Sequence, residues 1–283
     1  MKYEGKVVQI MAMSECPNNC EHCLIHYKGH INFKDLDKMM EDYTKEYEGV
    51  ILNGTELLMD NRYIDLCSKY NQNFIYTNGQ ILTEEKRKKK KKKGITRLSI
   101  SLHYGIHDDI SKISFEETSK LIKDAVADGF NVRVLCAISK DNYKLLPYIA
   151  DYVYSLGARS LKFINMINQG KAENLGDIFL NQEEINEFFD ILEEVKSKYD
   201  KKEFYVTRNG AFGDDEKRKN HFNCVAGEDF IIITPDHKVY PCNGLNYDEY
   251  CIGHWDETGI YIDRKLEHGS KKCLALQRQL KKQ

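Results

Sequence analysis

Apolar stretches of strand length alternate with helix-period stretches six times between residues 5 and about 198, and this alternation leaves the chain few possible folds. Val7-Val8-Gln9-Ile10-Met11-Ala12-Met13 reads as a buried strand. Helical spacing follows over 34–48 and 60–70, around a short strand at Val50-Ile51-Leu52. Phe74-Ile75-Tyr76-Thr77 is the next strand, closed by the turn pair Asn78-Gly79. Strands at 97–102, 131–138 and 160–165 then alternate with helices at 115–128, 143–156 and 182–199, two of them stopped by Gly129 and Gly157. Strands joined by helices of this length are βαβ units, and such units build a parallel sheet. From 203 onward the texture changes to short strands, turn residues and four of the nine cysteines. This predicts two domains, 1–200 and 201–283.

Composition narrows the function. Charged residues are 30% of the chain and the net charge is -2, which excludes a globally basic nucleic-acid binder. No apolar run approaches the roughly 20 residues that span a bilayer, so no membrane partner is expected. Met1-Lys2-Tyr3-Glu4-Gly5 lacks an apolar signal core, and the expected location is the cytoplasm. In that reducing compartment, clustered cysteines read as metal ligands rather than disulfides.

Cys16-Pro17-Asn18-Asn19-Cys20-Glu21-His22-Cys23 is C-x3-C-x2-C on a loop leaving the first strand. Three thiolates can ligate three irons of a [4Fe–4S] cube and leave the fourth iron open to a chelating ligand, whereas a ferredoxin supplies four cysteines per cluster. A structural zinc site completed by His26 or His30 would use the same residues.

Further segments, in order, bear a resemblance to the radical S-adenosylmethionine (SAM) superfamily, whose signature is C-x3-C-x2-C after a first strand. Asn53-Gly54-Thr55-Glu56-Leu57-Leu58 resembles that family's Gly-Gly-Glu-Pro motif, with Thr55 and Leu57 as departures. Thr77-Asn78-Gly79 resembles its third-strand turn, and Ser99 to Gly105 its fourth-strand segment. The resemblance implies an α/β fold, a partial (β/α)6 TIM-like barrel. It implies a [4Fe–4S] cluster on Cys16, Cys20 and Cys23, with SAM bound by Gly54, Thr55, Glu56, Ser101, Ile164 and Asn165, and by His22 packed on the adenine. It also implies a flavodoxin- or ferredoxin-type electron donor. Residues 224–242, opening Cys224-Val-Ala-Gly and closing Val239-Tyr240-Pro241-Cys242, resemble the start of the SPASM and "twitch" extensions, with His237 in place of the usual turn Gly. The implied small C-terminal iron–sulfur domain holds an auxiliary cluster on Cys224 and Cys242, with Cys251 and Cys273 available to complete the set. A four-cysteine zinc site is the alternative. Cys251 is also a candidate catalytic hydrogen-atom donor, or a buried apolar residue.

The resembled group contains enzymes that modify ribosomally made peptides, by epimerisation or crosslinking among other reactions, and dehydrogenases or epimerases of aminocyclitols and sugars. A peptide substrate is the favoured expectation and a small molecule the alternative. Lys86 to Lys93, eight consecutive basic residues, reads as a solvated helix face, with an acidic peptide or nucleic acid as its possible partner. His103 and His107 are candidates for acid–base work, Asp214-Asp215-Glu216 reads as a solvated acidic loop, and Cys67 and Cys136 read as core.

Overall fold

The computed structural model describes every residue except His221, residues 267–271 and Gln283. Eleven strands and eight α-helices occur among the described residues, with β1 (Val7–Met11), β2 (Gly49–Asn53), β3 (Phe74–Thr77), β4 (Arg97–Ser101), β5 (Asn131–Ile138), β6 (Ser160–Asn165) and β7 (Tyr205–Arg208) building the barrel wall. The helices are α1 (Phe33–Glu46), α2 (Asn61–Lys69), α3 (Glu84–Lys92), α4 (His107–Ile110), α5 (Phe115–Ala127), α6 (Leu146–Ser155), α7 (Gln182–Lys198) and α8 (Leu274–Lys282). Five-stranded β3-β4-β5-β6-β7 is parallel throughout, and β1 pairs parallel with β2. This is the expected α/β half-barrel. The sequence periods place its elements to within about two residues.

Alternation along each parallel strand explains how the wall is packed. Val132, Val134 and Cys136 of β5 and Leu161 and Phe163 of β6 are fully buried on the helix side, in one core with Ile122, Ile149, Val153 and Phe188. Cys67 is in the same core. Burying each such aliphatic side chain stabilises the fold by roughly 1.5–3 kcal/mol. Helix starts are fixed locally. Ser114 with Glu117 and Asn181 with Glu184 form reciprocal capping boxes on α5 and α7.

β2 and β3 share no backbone ladder, and a side chain closes the gap. The buried Gln72 amide accepts from Leu52 N at 2.7 Å and donates to Leu52 O at 2.8 Å and to Phe74 O at 3.1 Å. It reproduces the hydrogen bonds a neighbouring strand would make, so the two sheets form one curved wall.

Beyond residue 200, β7 extends the second sheet and β8 (Phe230–Ile233) pairs parallel with β1. β9 (Lys238–Tyr240), β10 (Gly253–Asp256) and β11 (Gly259–Ile262) then continue the first sheet as an antiparallel meander. Backbone ladders therefore cross the position of the expected boundary. At the β8–β9 turn His237 adopts φ 63, the left-handed conformation a turn glycine would take, and its ring stacks on Trp255 at 4.2 Å.

The basic run differs from a solvated face at two positions only. It forms α3, in which Arg87 and Lys90 are buried. Arg87 Nε donates to Asp128 at 2.6 Å and Lys90 Nζ donates to Asn61, while Lys88 pairs with Glu84, Lys89 with Glu85 and Lys93 with Asp65. Positions 87 and 90 are three apart, so both cations point at the body of the fold and their neighbours point away. The acidic loop differs likewise. Asp215 is buried and accepts from Arg218 at 3.1 Å, and Asp214 caps Phe222 N.

Candidate active site

β1 delivers its chain directly into the loop that carries Cys16, Cys20 and Cys23, all partly exposed. That loop is pinned from three sides. Asn18, buried, accepts from Lys112 N at 2.7 Å and donates to Ser111 at 3.1 Å, and Asn19 adopts φ 48. From the segment after β6, Lys171 N donates to Cys23 O at 2.9 Å and Lys171 Nζ reaches Asn19. Gly170 makes that approach possible: at φ +66 an added Cβ would lie 2.3 Å from Cys23 O. From β3, Asn78 Nδ2 donates to Cys16 Sγ at 3.3 Å. Lys171, Gly170 and Asn18 are absent from the sequence expectations, because nothing local in the sequence marks them.

The three thiols share a pocket of about 410 Å³ with Thr55, Thr77, Asn78, Ser101 and His22. Burial pushes the Cys20 thiol up to about 12, and the neighbouring Cys16 and Cys23 add to it. Burial likewise raises Cys16. Thiols this reluctant to ionise become ligands only where a cationic centre compensates the charge. Among the described residues no three His, Cys, Asp or Glu side chains are gathered for one metal ion. A four-iron cube asks for a different arrangement, since it takes each thiolate on its own iron.

The β2 loop faces the same pocket. Gly54 passes so close to β1 that a Cβ would lie 2.8 Å from Met13 Cγ, and Thr55 N donates to Met13 O at 3.1 Å. Glu56 is fully buried, and its carboxylate accepts from Thr77 Oγ1 at 2.9 Å, Asn78 N at 2.9 Å and Leu58 N at 3.2 Å. Burial raises its pKa while these three donors pull it down. Glu56 thus locks the β2 loop to the Thr77-Asn78 turn, which in turn places Asn78 on Cys16.

His22 lies in the pocket with its ring edge-on to His103 at 4.9 Å; its buried Nδ1 has no partner among the described residues. Burial lowers its pKa to about 4. His103 and His107 make backbone contacts: His103 Nδ1 accepts from Ala137 N at 3.0 Å, and His107 Nδ1 accepts from His103 N at 3.1 Å. Both are then Nε2–H tautomers, and burial is the main cause that lowers the pKa of each. A depressed folded pKa contributes stability above the unfolded value near 6.5, which is lost as pH falls through and below it. The urea midpoint of the metal-free chain is therefore expected to fall between about pH 7 and about pH 5. His103→Asn, whose Oδ1 can still accept from Ala137 N, is expected to flatten that fall. An unchanged slope would contradict the assignment.

At the end of β6, Ile164 alternates onto the face opposite the buried Phe163. Asn165 is buried, donates to Ala211 O at 2.7 Å through Nδ2, and leaves Oδ1 without a partner among the described residues. The next segment joins the two cysteine sets. Gln169 Nε2 lies 3.0 Å from Leu24 O and 2.8 Å from Asn243 O, and Gly170 N donates to the Tyr247 hydroxyl at 3.0 Å. Ile167 packs with Cys242 and Cys273.

Cys224, Cys242 and Cys273 lie within electrostatic reach of one another. Burial, Cys273 and Cys224 together push Cys242 up to about 12. Burial raises the Cys273 thiol and Cys224 adds to it, while Arg208, held over the Phe189 ring at 4.8 Å, offsets part of that rise. Cys251 is placed differently: its Sγ donates to Gly253 O at 3.2 Å and it packs against Met11, Tyr27, Ile232 and Tyr240.

The donor chemistry of both sets fits iron–sulfur groups. Each offers three cysteines close enough that Cys20 in the first and Cys242 in the second are raised by their two neighbours, and at the first the His22 Nδ1, without a partner among the described residues, and the Ser101 hydroxyl face the space beside the thiols.

Comparison with known proteins gives a consistent picture, although no family model matches the chain. The antilisterial bacteriocin subtilosin biosynthesis protein AlbA of Bacillus subtilis is 25% identical over 259 residues, 84% of this chain and 55% of AlbA. The AdoMet-dependent heme synthase of Oleidesulfovibrio alaskensis is 22% identical over 89% of this chain and 73% of its own length. Among solved structures, Streptococcus suis SuiB bound to precursor peptide SuiA superposes with a TM-score of 0.66 at 13% identity, covering 86% of this chain and 60% of that one. Native anSMEcpe with bound AdoMet superposes at 0.64 and 16% identity, covering 97% and 82%. These superpositions show the fold. The chain spans about half the length of AlbA and three fifths of SuiB. No helix among the described residues is long and apolar enough to cross a membrane.

Proposed function

From the chain's homology to radical SAM enzymes of the SPASM and twitch type, we propose that it cleaves SAM reductively and abstracts hydrogen from a ribosomally synthesised peptide, in an epimerisation or a crosslinking reaction. The observation that carries this reading is the pocket in which Cys16, Cys20 and Cys23 face Thr55, Asn78 and Ser101 at the C-terminal ends of the strands. Sites of α/β barrels form at that end. Cys16, Cys20 and Cys23 would hold a [4Fe–4S] cluster, which when reduced would supply the electron for cleavage of SAM at its S–C5′ bond.

What the protein adds is placement. Asn78 steadies Cys16, and Glu56 steadies Asn78. The Gly54–Thr55 backbone and the Ser101 hydroxyl are the groups offered to the methionyl and ribose parts of SAM, the His22 ring to its adenine, and Ile164 and Asn165 to the same ligand from β6. Cys224, Cys242 and Cys273 hold the auxiliary cluster, and Cys251 is either its fourth ligand or a hydrogen-atom donor. The electron enters from a flavodoxin- or ferredoxin-type donor. A peptide substrate is supported by the names of two relatives, one a bacteriocin biosynthesis protein and one bound to a precursor peptide.

The test is turnover of a precursor peptide encoded beside the gene, in deuterated water, read by mass spectrometry. One deuterium on an α-carbon is the result expected for epimerisation, abolished by Cys251→Ala if that thiol is the donor. Loss of two hydrogens is the result expected for crosslinking. An unmodified peptide together with oxidation of an aminocyclitol would overturn the peptide reading.

A further inference from the structure

The N-terminal mouth of the half-barrel is a cavity of about 420 Å³, at the end of the wall opposite the cysteine loop. Its lining includes Arg97, Arg133, Arg159 and Lys201, and no Asp or Glu. Strand register explains the placement. Tyr76, Ser99, Arg133, Ser160 and Tyr205 are consecutive ladder partners across β3 to β7, so they form one row on the inner face. The next inner row, two residues further along each strand, holds Ser101, Leu135 and Lys162. Two residues of strand advance about 6.6 Å. Tyr76 lines both this cavity and the pocket of the cysteine loop, so the two adjoin inside the wall.

These cations have only neutral partners among the described residues. Arg133 Nε reaches Ser160 Oγ at 3.4 Å, Arg97 donates to Asn73 Oδ1 at 2.8 Å, and Arg159 reaches Lys201 O at 3.4 Å. By contrast, Arg87, Lys88, Lys89 and Lys93 of the basic run each face a carboxylate. Burial and the adjacent Arg133 push the Lys162 amine down, the signature of a cation kept away from water without a counter-charge. Like charges gathered in a concave, half-buried space disfavour the empty state and favour an anion that fills it.

We propose that this mouth is a subsite for a carboxylate of the substrate, with Arg133 as its central contact, Arg97, Arg159 and Lys201 around it, and Lys162 one row further in. The cavity admits one side chain or a chain terminus, which suits a peptide entering the barrel from below and reaching toward the Ser101 row. The peptide part of this inference rests on the function proposed above. Arg133 selects the substrate by charge, through a planar guanidinium that matches a carboxylate.

The test is fluorescence anisotropy of short labelled peptides against the reconstituted enzyme. One peptide carries glutamates between blocked ends, one is its glutamine counterpart, and one is uncharged with a free C-terminal carboxylate. Binding of a carboxylated peptide about tenfold tighter than the glutamine peptide, lost in Arg133→Gln and recovered in part in Arg133→Lys, is the expected result. The peptide that shows it identifies the source of the carboxylate. Thermal melting of both variants separates a lost contact from a lost fold. Binding of both carboxylated peptides no tighter than that of the glutamine peptide, or Arg133→Gln binding like wild type, would overturn the subsite and leave the peptide reading standing. Glucuronate that raises the melting temperature of wild type but not of Arg133→Gln, with no peptide bound, would support the subsite and remove the peptide reading.

Discussion

Replacing Cys16, Cys20 and Cys23 together by Ala is expected to lower iron from about eight to about four per chain and reduce SAM cleavage to background. The two cysteine sets draw on different elements: the first on the loop after β1, the second on residues flanking the β8–β9 hairpin and the start of α8. Each set should therefore fill without the other. Complete loss of iron in the triple variant would show that the second set holds no cluster of its own, and undiminished SAM cleavage would refute the role of the first. Quantifying iron and sulfide alongside 5′-deoxyadenosine separates these results.

Gly170→Val is expected to be the most damaging single substitution outside the cysteines. Its Cβ would fall 2.3 Å from Cys23 O and 2.9 Å from Leu24 Cα, at a backbone φ of +66 that β-branched residues avoid. Backbone atoms cannot rotate out of the way as a side chain tip does. Strain at the left-handed position costs about 1–3 kcal/mol, and overpacking adds about as much again. Relief requires the Cys23 loop to move away from the segment after β6, which breaks the Lys171 N to Cys23 O bond and the Gln169 Nε2 to Leu24 O bond. A melting temperature lowered by several degrees, with less than half the wild-type iron, is the expected outcome. Wild-type values for both would mean that the two segments are not tightly joined.

Much of this architecture is legible in the sequence. The βα alternation gives most of the wall strands and their helices, because strands such as β5 turn one apolar face to the core and helices such as α5 are amphipathic, while α3 is basic all round. The cysteine loop is legible by spacing. Other features depend on tertiary placement that no local pattern announces. Gln72 reads as a loop polar residue and turns out to stand in for a strand. Arg87 and Lys90 are indistinguishable by sequence from the six cations around them, and only helix phase buries them. Arg133 and Lys162 read as ordinary polar alternation, yet the curvature of the wall turns that face into a lumen. His103 and His107, read as acid–base candidates, are occupied by backbone amides. The parallel pairing of β8 with β1 joins residues more than two hundred positions apart, and nothing within either strand specifies it.

The measurement that tests the central claim most directly is the release of 5′-deoxyadenosine from SAM by the anaerobically reconstituted wild-type chain after reduction with dithionite. The account predicts a brown protein that releases 5′-deoxyadenosine and methionine in equal amounts. A colourless protein that binds zinc at Cys16, Cys20 and Cys23 and leaves SAM intact would contradict it.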